Sequence, residues 1–322
     1  MENETLFDIT AYTGLAKSAA IFGVSLMDKI LLYPEIMVLS SDVSVQANLD
    51  RFKYQYPENF INVGIAEQNL IGIASGLASE GHKSIAVAQA TFISMRCFEQ
   101  VRQYLSYMQN NVILVGISAG FLLQHMGNTH YALEDVSLMR SIPGLIVLSP
   151  ADAAEAVKAF ETALESKKPV YIRLSGESLS TNIYEQDFPF IIGKSNIIHD
   201  GDDITVFATG SMVYPAIKAT EIIEEQGISV KLVNVHTISP IDREVINESK
   251  NSRLFVSVEE HYLSGGLGTS IAEHISSSSG FPPLLRLGVN NSYSLPGDYN
   301  YLLEQNRLTP KLIAEDILNR LK

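Results

Sequence analysis

Short apolar runs of strand length alternate with longer segments of helical periodicity along this chain. That alternation restricts it to α/β architecture with largely parallel sheets. Residues 36–42 form a buried run ending in polar turn residues, and 66–79 read as a helix with Leu70, Ile73, Ala74 and Leu77 on one face. Strands are predicted at 84–88, 112–117, 145–148 and 170–174, and helices at 91–108, 131–140 and 151–165, the first of these capped by Thr91. Residues 118–130 read as a loop rich in small and polar groups. The rhythm breaks over 175–203, where Gly176, Ser178, Ser180, Pro189 and Gly201 mark a linker with an edge strand. A second unit follows, with strands at 204–208, 230–235 and 254–258. Its helices are expected at 213–226, stopped by Gly227, and at 242–249, 269–276 and 309–321. The expectation is two consecutive domains, 1–185 and 186–322, each an open, mainly parallel sheet. The length of 322 residues suits two units of roughly 150.

An apolar content of 46% with 18% charged residues describes a globular chain. The net charge of −13 argues against a nucleic-acid or anionic-membrane surface. Cys97 is the single cysteine, so no internal disulfide framework exists and a reducing cytoplasm fits. The acidic start, Met1-Glu2-Asn3-Glu4, lacks the basic and apolar parts of a signal peptide, and no apolar run reaches the ~20 residues that span a bilayer. A cytoplasmic protein is expected.

Three stretches could carry chemistry. Val63-Gly64-Ile65-Ala66-Glu67-Gln68-Asn69 puts one carboxylate at the entrance of an apolar helix in which Gly72 and Gly76 leave room for a close neighbour. Glu67 could simply be a helix N-terminal carboxylate stabilised by the dipole. It could also be an acid held in a dry interface to donate a proton to a ring nitrogen, because burial disfavours its charged form. In Thr91–Gln100, Phe92 and Phe98 lie about 240° apart around a helix. Either could be core, and Phe92, beside a strand end, could instead face a cleft and stack on a flat heterocycle. His130, after Gly127-Asn128-Thr129, could be an ordinary solvated histidine or a proton shuttle to an alkoxide. His125, His261 and His274 show no metal-ligand spacing. Ser264-Gly265-Gly266-Leu267-Gly268 fits neither dinucleotide nor Walker spacing and reads as a tight strand-to-helix turn. Asp200-Gly201-Asp202-Asp203 reads as a polar turn before a strand.

Taken together, in order and spacing, these stretches resemble the C-terminal half of transketolase-like enzymes: transketolases, deoxyxylulose-phosphate synthases and the β subunits of 2-oxo acid dehydrogenases. The resemblance covers essentially the whole chain. It includes Ser40-Ser41-Asp42, Pro143–Asp152, Tyr171-Ile172-Arg173-Leu174-Ser175, Ala208-Thr209-Gly210-Ser211 and Glu260–Gly266. Phe98–Arg102 and Leu138-Met139-Arg140 look most like stand-alone C-terminal transketolase subunits. The resemblance implies a pyrimidine-binding domain followed by a transketolase C-terminal domain, with thiamine diphosphate as cofactor. Glu67 matches the glutamate that protonates the aminopyrimidine ring. Phe92, with Phe98, matches the aromatic pocket around that ring, and Asp42 joins the cofactor-binding set. His130 matches the histidine that handles substrate hydroxyl protons, and Arg173 matches an arginine that binds a substrate phosphate, a task suited to its planar fork.

The family's diphosphate domain, with its Gly-Asp-Gly and later asparagine that hold Mg²⁺, has no counterpart here. The resemblance therefore implies a partner N-terminal subunit carrying the Mg²⁺ ligands, in an α₂β₂ heterotetramer with sites at the interfaces. This chain itself supplies no metal ligands. The histidine loop departs from the transketolase pattern. Met126 stands where an aspartate contacts a sugar hydroxyl, Ser118 where a substrate histidine is found, and Leu15 where an arginine is found. Losing a charged hydrogen bond costs about 1.5–3 kcal/mol, enough to redirect specificity. His125 could substitute in part. The expected function is transfer of a two-carbon ketol unit from a ketose to an aldehyde, the substrate being a modified, unphosphorylated or nucleotide-linked sugar. A 2-oxo acid dehydrogenase β-type or deoxyxylulose-phosphate-synthase-like half, and a non-catalytic structural or regulatory paralogue, are the alternatives.

Overall fold

Side chains that alternate along parallel strands face opposite ways, so a strand apolar at every position must be covered on both faces. The computed structural model, which describes residues 18–175, 182–184 and 186–322, shows two sheets built on that principle. The first unit runs α1 (Ser18–Leu32), β1 (Ile36–Ser40), α2 (Asp50–Gln55), β2 (Phe60–Asn62), α3 (Glu67–Ser79), β3 (Lys83–Gln89), α4 (Phe98–Gln100), β4 (Val112–Ala119), α5 (Asp135–Arg140), β5 (Ile146–Leu148), α6 (Ala153–Glu165) and β6 (Val170–Ser175). The second runs β7 (Asn196–His199), β8 (Ile204–Ala208), α7 (Val213–Glu224), β9 (Val230–Asn234), β10 (Thr237–Ser239), α8 (Arg243–Glu248), β11 (Leu254–Tyr262), α9 (Leu267–Ser276), β12 (Leu284–Val289), α10 (Tyr299–Gln305) and α11 (Pro310–Leu321).

The seven-stranded sheet has the order β10-β5-β6-β4-β3-β1-β2 and is parallel except for β10. Val38, Ile85, Val87, Val115 and Ile172 point to one face, where Phe22 of α1 and Phe160 of α6 meet edge to face at 5.1 Å. Leu39, Ala86, Ala88, Leu114 and Tyr171 point to the other, under Leu70, Ile71 and Ala74 of α3. The five-stranded sheet, β12-β11-β8-β9-β7, is parallel except for its edge strand β7, the edge strand expected beyond the linker. Its core takes in Phe121, Tyr131 and Leu133 of the first unit, so the two units share apolar packing.

Four differences from the sequence-based expectation have local causes. The helix expected at 91–108 is wide-turned: π-helical turns over Phe92–Arg96 and Val101–Tyr107 flank α4. Thr91 already has helical backbone (φ −61°, ψ −39°), so its hydroxyl makes no cap. The helix expected at 131–140 begins only at Asp135, because Ala132 bridges back to Gly120. β10, from the second half of the chain, crosses to pair antiparallel with β5, and three residues are too few for any periodicity to announce.

Candidate active site

Parallel strands β1, β3 and β4 are neighbours, so their C-terminal ends open along one edge. In open α/β sheets ligands bind beyond that edge. Glu67, Phe92 and His130 follow β2, β3 and β4 and all lie there.

The turn ahead of Glu67 is tied back to the exit of β1. Ser41 Oγ donates to Gly64 O at 2.9 Å and accepts from the Ala66 amide at 3.2 Å. Asn62 Oδ1 accepts from the amides of Asp42 and Gly64, and Asn62 Nδ2 donates to Asp42 Oδ1 at 3.1 Å. Gly64 has φ +74°, in the left-handed region that favours glycine, which is why the turn places one there. Asp42 is exposed and its carboxylate is engaged by Asn62, so it shapes this turn from outside. The turn delivers Glu67 as the first residue of α3, with only 3% of its surface exposed.

Arg96 Nη1 donates to Glu67 Oε2 at 2.6 Å, a charge-assisted hydrogen bond. The same guanidinium lies over the Phe92 ring, 4.4 Å from its centroid. Phe92 in turn meets the His130 ring edge-on at 5.4 Å. Glu67, Arg96, Phe92 and His130 thus form a continuous chain of contacts. Arg96 lies inside the 91–108 segment without any role expected from the sequence. The signal was its spacing, four residues after Phe92, which stacks side chains on one helical face. Beneath the cluster, burial and then the nearby Glu67 charge push the Cys97 thiol up to about 12, so it stays a thiol.

His130 closes a turn on Gly127, its amide donating to Gly127 O at 2.9 Å, and Thr129 Oγ1 lies 2.9 Å from His130 Nδ1. The loop is fastened by the second unit: Asn128 Nδ2 donates to Ser294 O at 2.8 Å and the Phe121 amide to Glu260 Oε1 at 2.6 Å. His125 stands exposed on the turn Gln124–Met126. Ser118, at the end of β4, holds φ +58°, a left-handed conformation uncommon for a non-glycine residue. Leu15 lies outside the described residues.

One expectation needs revision. Arg173 does not reach the cleft. It is 2% exposed, with Nε donating to Asp135 Oδ2 at 2.8 Å and Nη2 to the carbonyls of Glu260 (2.8 Å) and Ala132 (3.2 Å). Its fork is spent on the junction between the two units, which leaves a substrate phosphate no access. Phe98, half-buried, packs against the apolar cluster under α3 that holds Ile93, Cys97 and Leu105. The glycine turn 264–268 cradles a side chain of the same chain at a helix start: Glu259 accepts from the amides of Leu267 (2.6 Å) and Gly268 (2.9 Å). A cleft of about 830 Å³ around Arg140, Pro240, Asp242 and Glu273 contains none of the site residues.

Residues 24–181 match the transketolase pyrimidine-binding domain and residues 193–313 the transketolase C-terminal domain. A protein of Methanocaldococcus jannaschii described as a transketolase C-terminal section is 37% identical over 97% of this chain and 97% of its own length. The chain belongs to the transketolase family. A 6-deoxy-6-sulfo-D-fructose transketolase subunit of Clostridium sp. is 37% identical over 87% of this chain and 86% of that one. A solved split gene transketolase, an inactive beta4 tetramer, superposes with a TM-score of 0.85 at 34% identity, covering 95% of this chain and 98% of that one. The first match covers β1–β6 and the second covers the five-stranded sheet together with β10, and the transketolase family depends on thiamine diphosphate.

Proposed function

We propose that this chain is the C-terminal subunit of a two-subunit, thiamine-diphosphate-dependent transketolase that transfers a two-carbon ketol unit from a ketose to an aldehyde. The observation that carries the proposal is the buried Glu67 carboxylate beside the Phe92 face and the His130 ring at the C-terminal edge of the first sheet. The residues fit a flat, nitrogen-bearing heterocycle: the planar Arg96 cation already donates to Glu67 and stacks on Phe92. When bound, thiamine diphosphate supplies a nucleophilic carbon for attack on a ketose carbonyl. Glu67 holds a proton at a ring nitrogen and Phe92 orients the ring by its face. Thr129 engages His130 Nδ1, which leaves Nε2 for proton exchange with a substrate hydroxyl.

Mg²⁺ and the diphosphate fall to a partner subunit in an α₂β₂ assembly. Ile65 (78%), Met95 (42%) and Met126 (52%) are exposed next to the site residues, the kind of apolar surface a partner covers. Nothing lies within 4 Å of a Cβ built on Gly72 or Gly76, so the glycine face of α3 is open to a second chain. The relative whose beta chains form an inactive tetramer supports the same division of labour. Met126 in place of the family's aspartate, and the relative that acts on a sulfosugar, favour a modified sugar as substrate, with His125 facing it. The buried Arg173 disfavours the deoxyxylulose-phosphate-type alternative, because the phosphate would lose its arginine.

The test is co-purification with the N-terminal partner, followed by thiamine diphosphate titration and ketol-transfer assays against ordinary and modified sugars. Glu67→Gln should lower turnover by about 10²–10⁴-fold with folding unchanged. Cofactor binding and turnover indifferent to that change would leave a non-catalytic paralogue as the better description.

A further inference from the structure

A ring that uses this site needs two things from the chain: an acidic hydrogen-bond partner and an aromatic face. Both are held by one side chain. Arg96 donates to Glu67 Oε2 at 2.6 Å and lies 4.4 Å from the Phe92 centroid. A guanidinium is planar, cationic and edged with N–H donors, the same features a protonated aminopyrimidine presents. We propose that Arg96 is a built-in occupant of the pyrimidine site, which keeps Glu67 paired until the cofactor displaces it. The proposal rests on the reading of Glu67 as the pyrimidine-binding carboxylate.

The local structure makes displacement feasible. The Arg96 backbone is fixed, since Gln68 Nε2 donates to Arg96 O at 3.2 Å and the residue closes the π-helical turn Phe92–Arg96. Its side chain is 44% exposed, so it can swing outward by rotamer change alone. Glu67 cannot follow, at 4% side-chain exposure. A ring that offers Glu67 an equivalent donor edge and also gains diphosphate contacts on the partner subunit outcompetes the arginine. Without the arginine, the Glu67 carboxyl group would sit in a nearly closed crevice without a donor, a costly arrangement. The device therefore stabilises the empty subunit and makes cofactor entry an exchange of one planar donor for another.

The experiment compares wild-type chain, Arg96→Met, Arg96→Lys and Glu67→Gln. Thiamine, which lacks the diphosphate, is titrated into the chain alone by calorimetry, and thiamine diphosphate with Mg²⁺ into the assembled pair. Arg96→Met should bind thiamine about tenfold more tightly than wild type, and millimolar guanidinium ion should weaken that binding competitively while leaving wild type unaffected. Arg96→Lys, which keeps the charge but not the plane, should fall between them. If Arg96→Met instead weakens thiamine and cofactor binding while Glu67→Gln also weakens both, the site reading stands and the occupant role is overturned. If Glu67→Gln leaves both ligands' affinities unchanged, the site reading itself fails and takes this proposal with it.

Discussion

The buried Asp135–Arg173 pair illustrates how a single contact assigns a role. Asp135 Oδ2 accepts from Arg173 Nε and from the Tyr171 hydroxyl, each at 2.8 Å, and both charges are almost fully enclosed. Arg173 also binds two carbonyls, one from each unit, so the pair acts as a rivet. Removing one partner of such a pair strands the other charge, at a cost of about 3–5 kcal/mol. Asp135→Ala should lower unfolding free energy by that amount in urea denaturation. The double change Asp135→Leu with Arg173→Met should recover most of it, because two apolar groups need no solvation. Equal losses in both variants would contradict the rivet.

At the scale of elements, the site depends on loops tied down by neighbours. The glycine turn before α9 exists to let Glu259 reach the helix N-terminus: a Cβ on Gly266 would lie 1.9 Å from Glu259 Oε2. Gly266→Ala should therefore destabilise by about 1–3 kcal/mol through overpacking, read as a lowered denaturation midpoint. The histidine loop hangs on the Asn128–Ser294 hydrogen bond. Asn128→Ala should leave global stability within about 1.5 kcal/mol of wild type, the worth of one hydrogen bond, while raising the substrate KM several-fold. An unchanged KM would show that the loop keeps its shape without the second unit.

For the whole molecule, buried ionisable groups set the response to pH. Burial pushes Glu155 up from 4.5 to about 8 and Glu259 from 4.5 to about 7, and Glu260 moves the same way. The folded protein holds these protons more tightly than the unfolded chain. Their stabilising contribution is complete below the ordinary carboxylate value and is lost as pH rises through the folded values. His236 and His261 are lowered by burial from 6.5 to about 4, so their contribution is complete above 6.5 and is lost as pH falls. Below 6.5 the two sets oppose each other; above it the histidine contribution is complete and only the raised carboxyl groups remain. Stability should fall between pH 6.5 and 8, and Glu155→Gln should remove most of the decline at the upper end, as followed by melting temperature across that range. A flat profile in wild type would show that these carboxyl groups reach water.

The sequence alone determined the alternating α/β architecture, because strand and helix periods are local properties that buried and exposed residues must obey. It also determined the carboxylate, aromatic and histidine at three successive strand exits, since neighbouring parallel strands must open on one edge. Tertiary structure decided what each side chain touches. It carried Arg173 into the junction between the sheets, sent β10 back to the first sheet, and packed Phe98 against the cluster under α3. It also set Arg96 against Glu67 and Phe92. Those outcomes depend on contacts between residues far apart in the chain or on how a wide helical turn rotates its side chains, and neither is encoded in spacing.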